Sequence, residues 1–180
     1  MNKLLITNAR IYTPLHPVFT GWLLAEDKKI FSFSKGQPSA ELAAAADRTI
    51  DAGGKALLPG FIDIHTHGGL GYCTMDADPV RLRAIAERNA QHGVTGFLPT
   101  TLTDQYKPTV AAIEAVTSMI GERGKGSKIF GVHLEGPYFN PVKAGAQDPN
   151  SIRRADPKEV RDFIDRKSTR LNSSHWLTSR

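Results

Sequence analysis

Three side chains that can titrate or bind metal lie at alternate positions in one apolar stretch of the chain. Asp63, His65 and His67 interrupt residues 59–69, which are otherwise mainly glycine, isoleucine and phenylalanine. Because the side chains of a β-strand alternate between its two faces, this pattern predicts a buried strand with both imidazoles on one face. Residues two apart on a strand are separated by roughly 6.5 Å, so the two rings can lean toward one metal ion.

A His-x-His pair alone is also compatible with two hydrogen-bonded histidines at the end of a strand. The surrounding glycines favour the metal site, because they let the backbone turn tightly at both ends of the strand. These glycines are Gly60, Gly68, Gly69 and Gly71.

A candidate carboxylate ligand ends another apolar run. Residues 129–135 predict a third strand that places His133 and Glu135 on the same face, and a Gly-Pro turn follows. A carboxylate beside two imidazoles suits zinc, iron or another divalent transition metal, which lowers the pKa of bound water and so supplies hydroxide as a nucleophile. The predicted metal ligands are His65, His67 and Glu135. Asp63 and His133 are predicted to support them through hydrogen bonds.

Residues 1–58 predict a small β module without a catalytic cluster. Short segments of strand-like composition are separated by proline and glycine turns. These segments are residues 4–12, 21–25, 29–33 and 48–50, with one alanine-rich helical stretch at 40–47.

Residues 59–164 alternate predicted strands and helices. A helix is predicted from Asp78-Pro79 to Gly93, a strand over 94–101, a helix over 110–120, the strand 129–135, and a helix from Asp156 with Glu159 completing a capping box. Repeated βα units predict a parallel sheet covered by helices. The fold class is therefore α/β, with the first three βα units of a partial (β/α)8 TIM barrel, in which catalytic groups gather at the carboxyl ends of the strands.

Composition limits the remaining functional classes. Four basic side chains and one acidic side chain in residues 165–180 account for three of the five net positive charges, so no basic stripe indicates nucleic-acid binding. The single cysteine, Cys73, cannot form an internal disulfide. No signal-peptide core or membrane-length apolar run is present. We therefore expect a soluble, cytoplasmic protein that binds neither nucleic acid nor membranes.

The end of the chain differs in character from the rest. Residues 165–175 show no periodicity and resemble the in-frame translation of a short-read sequencing adapter. We therefore interpret residues 165–180 as a sequencing artefact and end the predicted fold near Ile164.

Two motifs resemble a known enzyme family. Residues 59–68 are similar to the first-strand signature of the amidohydrolase superfamily. Residues 133–138, His-Leu-Glu-Gly-Pro-Tyr, and residues 143–147, Lys-Ala-Gly-Ala-Gln, resemble the N-acetylglucosamine-6-phosphate deacetylase family. The second set is the more specific, because this family uses a glutamate after strand three where many amidohydrolases place a carboxylated lysine on strand four.

The resemblance implies a metal-dependent hydrolase of amino-sugar catabolism. Its reaction would convert N-acetylglucosamine 6-phosphate into glucosamine 6-phosphate and acetate, on a TIM barrel joined to a β-sandwich built from both chain ends. By position, His65 and His67 match the histidines of one metal site, and Glu135 matches the glutamate that binds or bridges to the other ion. One or two zinc or iron ions are implied. Ala146 and Gln147 fall where the family contacts its substrate.

The resemblance covers residues 1–164, roughly the first two fifths of such an enzyme. In the family, the catalytic aspartate, two further metal-binding histidines and the phosphate contacts come from later in the chain or from the second subunit of a homodimer. No general acid or base is therefore assigned within these residues. We expect an N-terminal fragment that is inactive and not a stable monomer by itself.

Three other functions remain open. The parent could act on N-acetylgalactosamine 6-phosphate, or it could be another amidohydrolase such as a cyclic amidase. Alternatively, residues 1–164 could form a non-catalytic metal-binding or interaction module.

Overall fold

A computed structural model of the chain describes residues 2–14, 16–122 and 124–166. Internal contacts divide the chain into two compact units, Met1–Pro59 and Gly60–Arg180, and each unit has sheets of its own. From position 167 onward, the adapter-like stretch predicted at 165–180 lies outside the described residues. Within the described ranges, every helix is too short or too polar to cross a membrane.

The first unit is built on one five-stranded sheet. Its strands are β1 (Lys3–Thr13), β2 (His16–Glu26), β3 (Lys29–Lys35), β4 (Arg48–Asp51) and β5 (Ala56–Leu57). β1 pairs antiparallel with β2 and parallel with β4 and β5, while β3 pairs antiparallel with β2. A short helix, α1 (Ala40–Ala44), starts at a Ser39 cap. The described residues of this unit form a single sheet, so the second layer of a β-sandwich stays a prediction.

The second unit alternates parallel strands with helices, which confirms the α/β class. Its elements are β6 (Phe61–Thr66), the hairpin of β7 (Gly68–Gly69) and β8 (Tyr72–Cys73), α2 (Pro79–Gln91), β9 (Val94–Pro99), α3 (Tyr106–Ser118), β10 (Lys128–Ile129) and α4 (Pro157–Asp165). β9 lies between β6 and β10 and is parallel to both. The carboxyl ends of the three strands therefore meet at one edge of the sheet.

Local sequence signals explain where the helices begin. Asp78 accepts a hydrogen bond from the Val80 N–H at 2.8 Å, and proline follows at the first helical position of α2, as predicted. Asp156 caps α4 in the same way. The Glu159 carboxylate, which was expected to complete a capping box there, lies instead against the Arg153 guanidinium, because a full opposite charge attracts it more strongly than a backbone N–H.

The third strand is shorter than the predicted range 129–135. Regular pairing with β9 ends at Ile129 and resumes for a single residue at His133, which forms an isolated bridge with Thr100. Gly131 lies in the interrupted part, and glycine weakens a strand interior because it has no side chain to pack. Glu135 therefore lies beyond the strand rather than in its last position.

The burial predicted for β6 is wrong. Phe61, Ile62 and Ile64 are 61, 60 and 55% exposed. β6 is an edge strand among the described residues and pairs only with β9, so its side chains lack neighbours on one side. An apolar run shows that its residues favour a buried strand, but it does not show how many neighbouring strands cover them.

The hydrophobic core of the second unit lies where the sheet meets its helices. Phe97 on β9 and Val132 are fully buried there. The helices contribute Leu82 and Ile85 from α2, Ile113 and Val116 from α3, and Phe163 from α4. This packing fixes β9, which lies between the two segments that carry the candidate metal ligands.

Replacing Phe97 by alanine should lower the free energy of unfolding by about 3–5 kcal/mol, because the change removes a buried ring and leaves a cavity. The matched change Phe61→Ala, at an exposed ring of the same unit, should cost on the order of 0.5 kcal/mol. Urea denaturation followed by the helical circular dichroism signal would measure both, since α2, α3 and α4 all belong to this unit. Equal losses for the two variants would contradict the core assignment.

Candidate metal centre

Two tight turns bring the candidate ligands to the edge of the sheet. His67 directly follows β6, and the chain then folds back so closely that a Cβ at Gly68 would lie 2.0 Å from the Tyr72 carbonyl oxygen. Gly136 follows Glu135 with φ of 80°, and a Cβ there would lie 2.0 Å from Thr103 Oγ1. Both turns therefore require glycine.

The structure brings His65, His67 and Glu135 together. Glu135 Oε2 lies 2.9 Å from His67 Nε2 and 3.3 Å from His65 Nε2, and the three ligand atoms are all within 4.8 Å of one another. The Glu135 side chain is 14% exposed, whereas the two imidazoles are 39 and 34% exposed. The group is thus closed on the carboxylate side and open to solvent on the imidazole side.

The geometry of these three side chains fits a divalent metal ion. Donor atoms about 2.0–2.1 Å from a tetrahedral ion lie roughly 3.4 Å apart. The separation of 3.3 Å matches this spacing, and the separation of 2.9 Å is somewhat shorter. Glu135 Oε2 is buried and accepts no hydrogen bond from the described residues. Such an oxygen needs a positive partner, and three protein ligands leave a further coordination position for water or substrate.

The orientation of His67 supports the same interpretation. Its Nδ1 lies 3.3 Å from the Thr100 carbonyl oxygen, which can only accept a hydrogen bond, so Nδ1 carries the proton. In the neutral ring, Nε2 then carries the lone pair, and it lies 2.9 Å from Glu135 Oε2. Two electron-rich atoms 2.9 Å apart repel each other unless a cation lies between them or the ring is protonated.

Asp63 and His133 lie next to the ligands. Asp63 Oδ1 accepts a hydrogen bond from the His65 backbone N–H at 3.0 Å. The buried His133 ring donates from Nδ1 to the Ile64 carbonyl oxygen at 2.8 Å and packs edge-on against His65, with ring centroids 4.7 Å apart. Their predicted supporting role thus has a physical basis in the backbone around His65.

Ala146 and Gln147 lie in the loop that follows Glu135. Ala146 is exposed, and Gln147 is half-buried. Gln147 Oε1 accepts a hydrogen bond from the Thr103 N–H at 2.8 Å, which ties this loop to the connection between β9 and α3. A substrate contact for either residue stays a prediction.

An ion-pair network holds the far end of the same loop. The Arg153 guanidinium pairs with Glu159 of α4 and donates to the carbonyl oxygens of Asp104 and Ser151 at 2.9 and 3.0 Å. Burial raises the pKa of the nearby Tyr138 hydroxyl, and the Glu159 charge raises it further, so this phenol stays neutral. The loop is therefore anchored at both ends.

Three buried threonines just after β9 were not predicted as part of the site. Thr100, Thr101 and Thr103 are 0, 0 and 6% exposed and make hydrogen bonds to the segments that carry His67, Glu135 and Gln147. A visible signal was the pair Thr100-Thr101 directly after an apolar strand, where buried hydroxyl groups are usually hydrogen-bonded, as both of these are.

The sequence is similar to those of known enzymes. The sequence model of the amidohydrolase family matches residues 56–174. The N-acetylglucosamine-6-phosphate deacetylase of Bacillus subtilis strain 168 is 37% identical over 161 residues, which cover 86% of this chain and 39% of that protein. The N-acetylgalactosamine-6-phosphate deacetylase of Escherichia coli O157:H7 is 37% identical over 108 residues, covering 60% of this chain and 29% of that protein.

A solved structure shows the same similarity in three dimensions. The crystal structure of N-acetylglucosamine-6-phosphate deacetylase from Pasteurella multocida superimposes with a TM-score of 0.79 at 26% identity, covering 91% of this chain and 42% of that one. The chain thus spans about two fifths of the length of the B. subtilis and P. multocida proteins.

Replacing His65, His67 or Glu135 by alanine should weaken binding of Zn²⁺ more than about 100-fold, since even outer-shell changes cost about 10- to 100-fold in metal affinity. Competition with a chromophoric chelator would measure the affinity. His92→Ala, at an exposed histidine after α2, serves as the control and should bind Zn²⁺ like the wild type. Unchanged affinity in all three ligand variants would contradict the assignment.

Proposed function

The chain belongs to the amidohydrolase family, and we propose that it is part of an N-acetylglucosamine-6-phosphate deacetylase. The proposed reaction is hydrolysis of the N-acetyl group of N-acetylglucosamine 6-phosphate, which gives glucosamine 6-phosphate and acetate. The observation that carries the proposal is the convergence of two imidazoles and one buried carboxylate at the carboxyl ends of parallel strands. The substrate is inferred from the activity for which the similar proteins are named.

The proposed role of the three ligands is to hold a divalent metal ion, zinc or iron, in one or two sites. The chemistry that such an ion supplies is polarisation of the amide carbonyl and a lowered pKa of bound water. Glu135 contributes the negative charge that favours a dication, and the buried position of its carboxylate keeps competing water away from that side. The exposed sides of His65 and His67 leave the opposite side open to substrate.

The loop after Glu135 is the proposed contact for the amino sugar. Because Gln147 Oε1 accepts from the Thr103 N–H, its side-chain NH₂ group is the part that can donate to a sugar oxygen. Ala146, exposed beside it, offers a small surface that does not obstruct the ring. The anchors at Thr103 and Arg153 would keep this contact at a constant distance from the ligands.

The remaining parts of the reaction are proposed to come from the rest of a longer protein. Proton transfer to the leaving amine is assigned to the aspartate that the family carries at the end of its last barrel strand. The phosphate contacts and the homodimer are assigned to later residues in the same way. On this proposal, the barrel and the β-sandwich are completed by later residues, the 180-residue chain is inactive alone, and the complete enzyme works in the cytoplasm.

A specific observation also favours a second substrate. The E. coli N-acetylgalactosamine-6-phosphate deacetylase is as similar in identity as the B. subtilis enzyme, although over fewer residues. N-acetylgalactosamine 6-phosphate, which differs from the first sugar only at carbon 4, is therefore the alternative substrate of the same site.

A full-length protein that contains residues 1–164 should release acetate from N-acetylglucosamine 6-phosphate with a kcat/KM at least about tenfold above that for the galactosamine epimer or the unphosphorylated sugar, a difference of about 1.4 kcal/mol. Coupled detection of acetate would measure this. The His67→Ala variant should fold but release none, whereas His92→Ala should match the wild type. Equal rates on the phosphorylated and unphosphorylated sugars would refute the phosphorylated substrate, and preference for the galactosamine epimer would establish the alternative.

A further inference from the structure

We propose that Thr101 is a positioning residue that holds Glu135 between the two histidines through its buried hydroxyl group. The proposal rests on the proposed metal site, to which Thr101 contributes no ligand atom. Thr101 is fully buried at the end of β9. Its Oγ1 accepts a hydrogen bond from the Glu135 backbone N–H at 3.2 Å, and its own N–H donates to the His133 carbonyl oxygen at 3.0 Å.

These two hydrogen bonds come at the point where the third strand leaves the sheet. The His133 N–H donates to the Pro99 carbonyl oxygen, and the Thr101 N–H donates to the His133 carbonyl oxygen, as in a regular parallel ladder. In that pattern the Glu135 N–H would next donate to the Thr101 carbonyl oxygen. It donates to the Thr101 hydroxyl instead.

The exchange of a carbonyl for a hydroxyl has a structural consequence. A hydrogen bond to the Thr101 carbonyl oxygen would extend the parallel pairing and keep Glu135 in the sheet. With the hydroxyl as acceptor, the chain can turn away from the sheet while the Glu135 N–H remains hydrogen-bonded. The turn at Gly136 then follows directly. The Thr101 hydroxyl thus provides an acceptor for the Glu135 N–H and sets the direction from which the carboxylate enters the site.

The neighbouring Thr100 connects β9 to the histidine side of the site. Its carbonyl oxygen accepts from His67 Nδ1, and its Oγ1 accepts from the Thr66 N–H at 2.9 Å. Thr100 therefore contacts the segment that carries the histidine ligands, and Thr101 contacts the segment that carries Glu135. Of the two, Thr101 acts on Glu135 only through its side chain, so a substitution can test it.

A purely structural role makes a different prediction from a positioning role. If Thr101 only fills the core, its replacement lowers stability and leaves the affinity of the folded protein for metal unchanged. If it positions Glu135, its replacement lowers metal affinity in a protein that remains folded, and the effect depends on the Glu135 carboxylate. The two roles can be distinguished by testing whether the effect of the Thr101 substitution on metal affinity depends on the Glu135 carboxylate.

The test uses a full-length protein that contains residues 1–164, with Co²⁺ alone as the probe. Thr101→Val, which removes the hydroxyl and keeps the shape, should weaken Co²⁺ binding about 10- to 100-fold and change the visible d–d absorption of the bound ion. Thr101→Ser, which keeps the hydroxyl, should restore affinity to within about threefold of the wild type. Thr109→Val removes an equally buried hydroxyl that bonds to the Gln105 carbonyl oxygen, and it should leave affinity and absorption unchanged.

The decisive comparison repeats Thr101→Val in a Glu135→Gln background. There it should change the Co²⁺ affinity by less than about threefold, because the carboxylate it positions is gone. An equal loss in both backgrounds, or no loss in the wild-type background, would overturn the proposal. A full-length wild-type protein that binds no Co²⁺ would overturn it as well, since no ligand geometry would exist for Thr101 to hold.

A measurement on the unmodified protein guards against a Thr101→Val variant that fails to fold. The Glu135 amide should exchange with deuterium more slowly than an unprotected amide, because its N–H is bonded to a buried hydroxyl. Exchange at the unprotected rate would overturn the proposal. These readouts are independent of acetate release, so a failure of the proposed deacetylase activity would leave them intact and distinguishable.

Discussion

The site depends on a carboxylate oxygen that is shielded from water and faces two imidazole nitrogens. Glu135 Oε2 lies about as far from His65 and His67 as the donor atoms of one coordination shell lie from each other. A shielded carboxylate is unfavourable without a positive partner, and the hydrogen bond from His67 Nδ1 to a carbonyl group leaves the lone pair on Nε2, the ring nitrogen next to that carboxylate. A cation at the centre of the three atoms would convert this repulsion into attraction.

Parallel strand pairing makes this arrangement possible for residues 68 positions apart in sequence. β9 pairs with β6 on one side and with the β10 segment on the other, so the ends of both outer segments meet beside it. The residues that leave β9 then make the connections: Thr100 contacts the His67 side and Thr101 contacts the Glu135 side. The core around Phe97 keeps the strand from shifting relative to its helices.

Local patterns in the sequence predicted the parts of this structure that depend on neighbouring residues. The alternation of His65 and His67, the cap at Asp78 and the order of strands and helices all follow from periodicity and turn chemistry. The short third strand, the exposure of Ile62 and Ile64, and the hydroxyl that holds Glu135 depend on which strands pair and where pairing stops. Such contacts join residues far apart in the sequence and produce no periodic pattern of residue types, so only the three-dimensional structure shows them.

The most direct test of the central claim is X-ray absorption spectroscopy at the zinc edge on the protein loaded with one equivalent of Zn²⁺. If these residues hold the ion, two imidazole nitrogens and a carboxylate oxygen should be among the nearest zinc ligands, at about 2.0–2.2 Å. The imidazole scattering should fall by half in His67→Ala and remain complete in His92→Ala. A first shell without imidazole, or a spectrum that His67→Ala leaves unchanged, would contradict the claim that these residues form the metal centre.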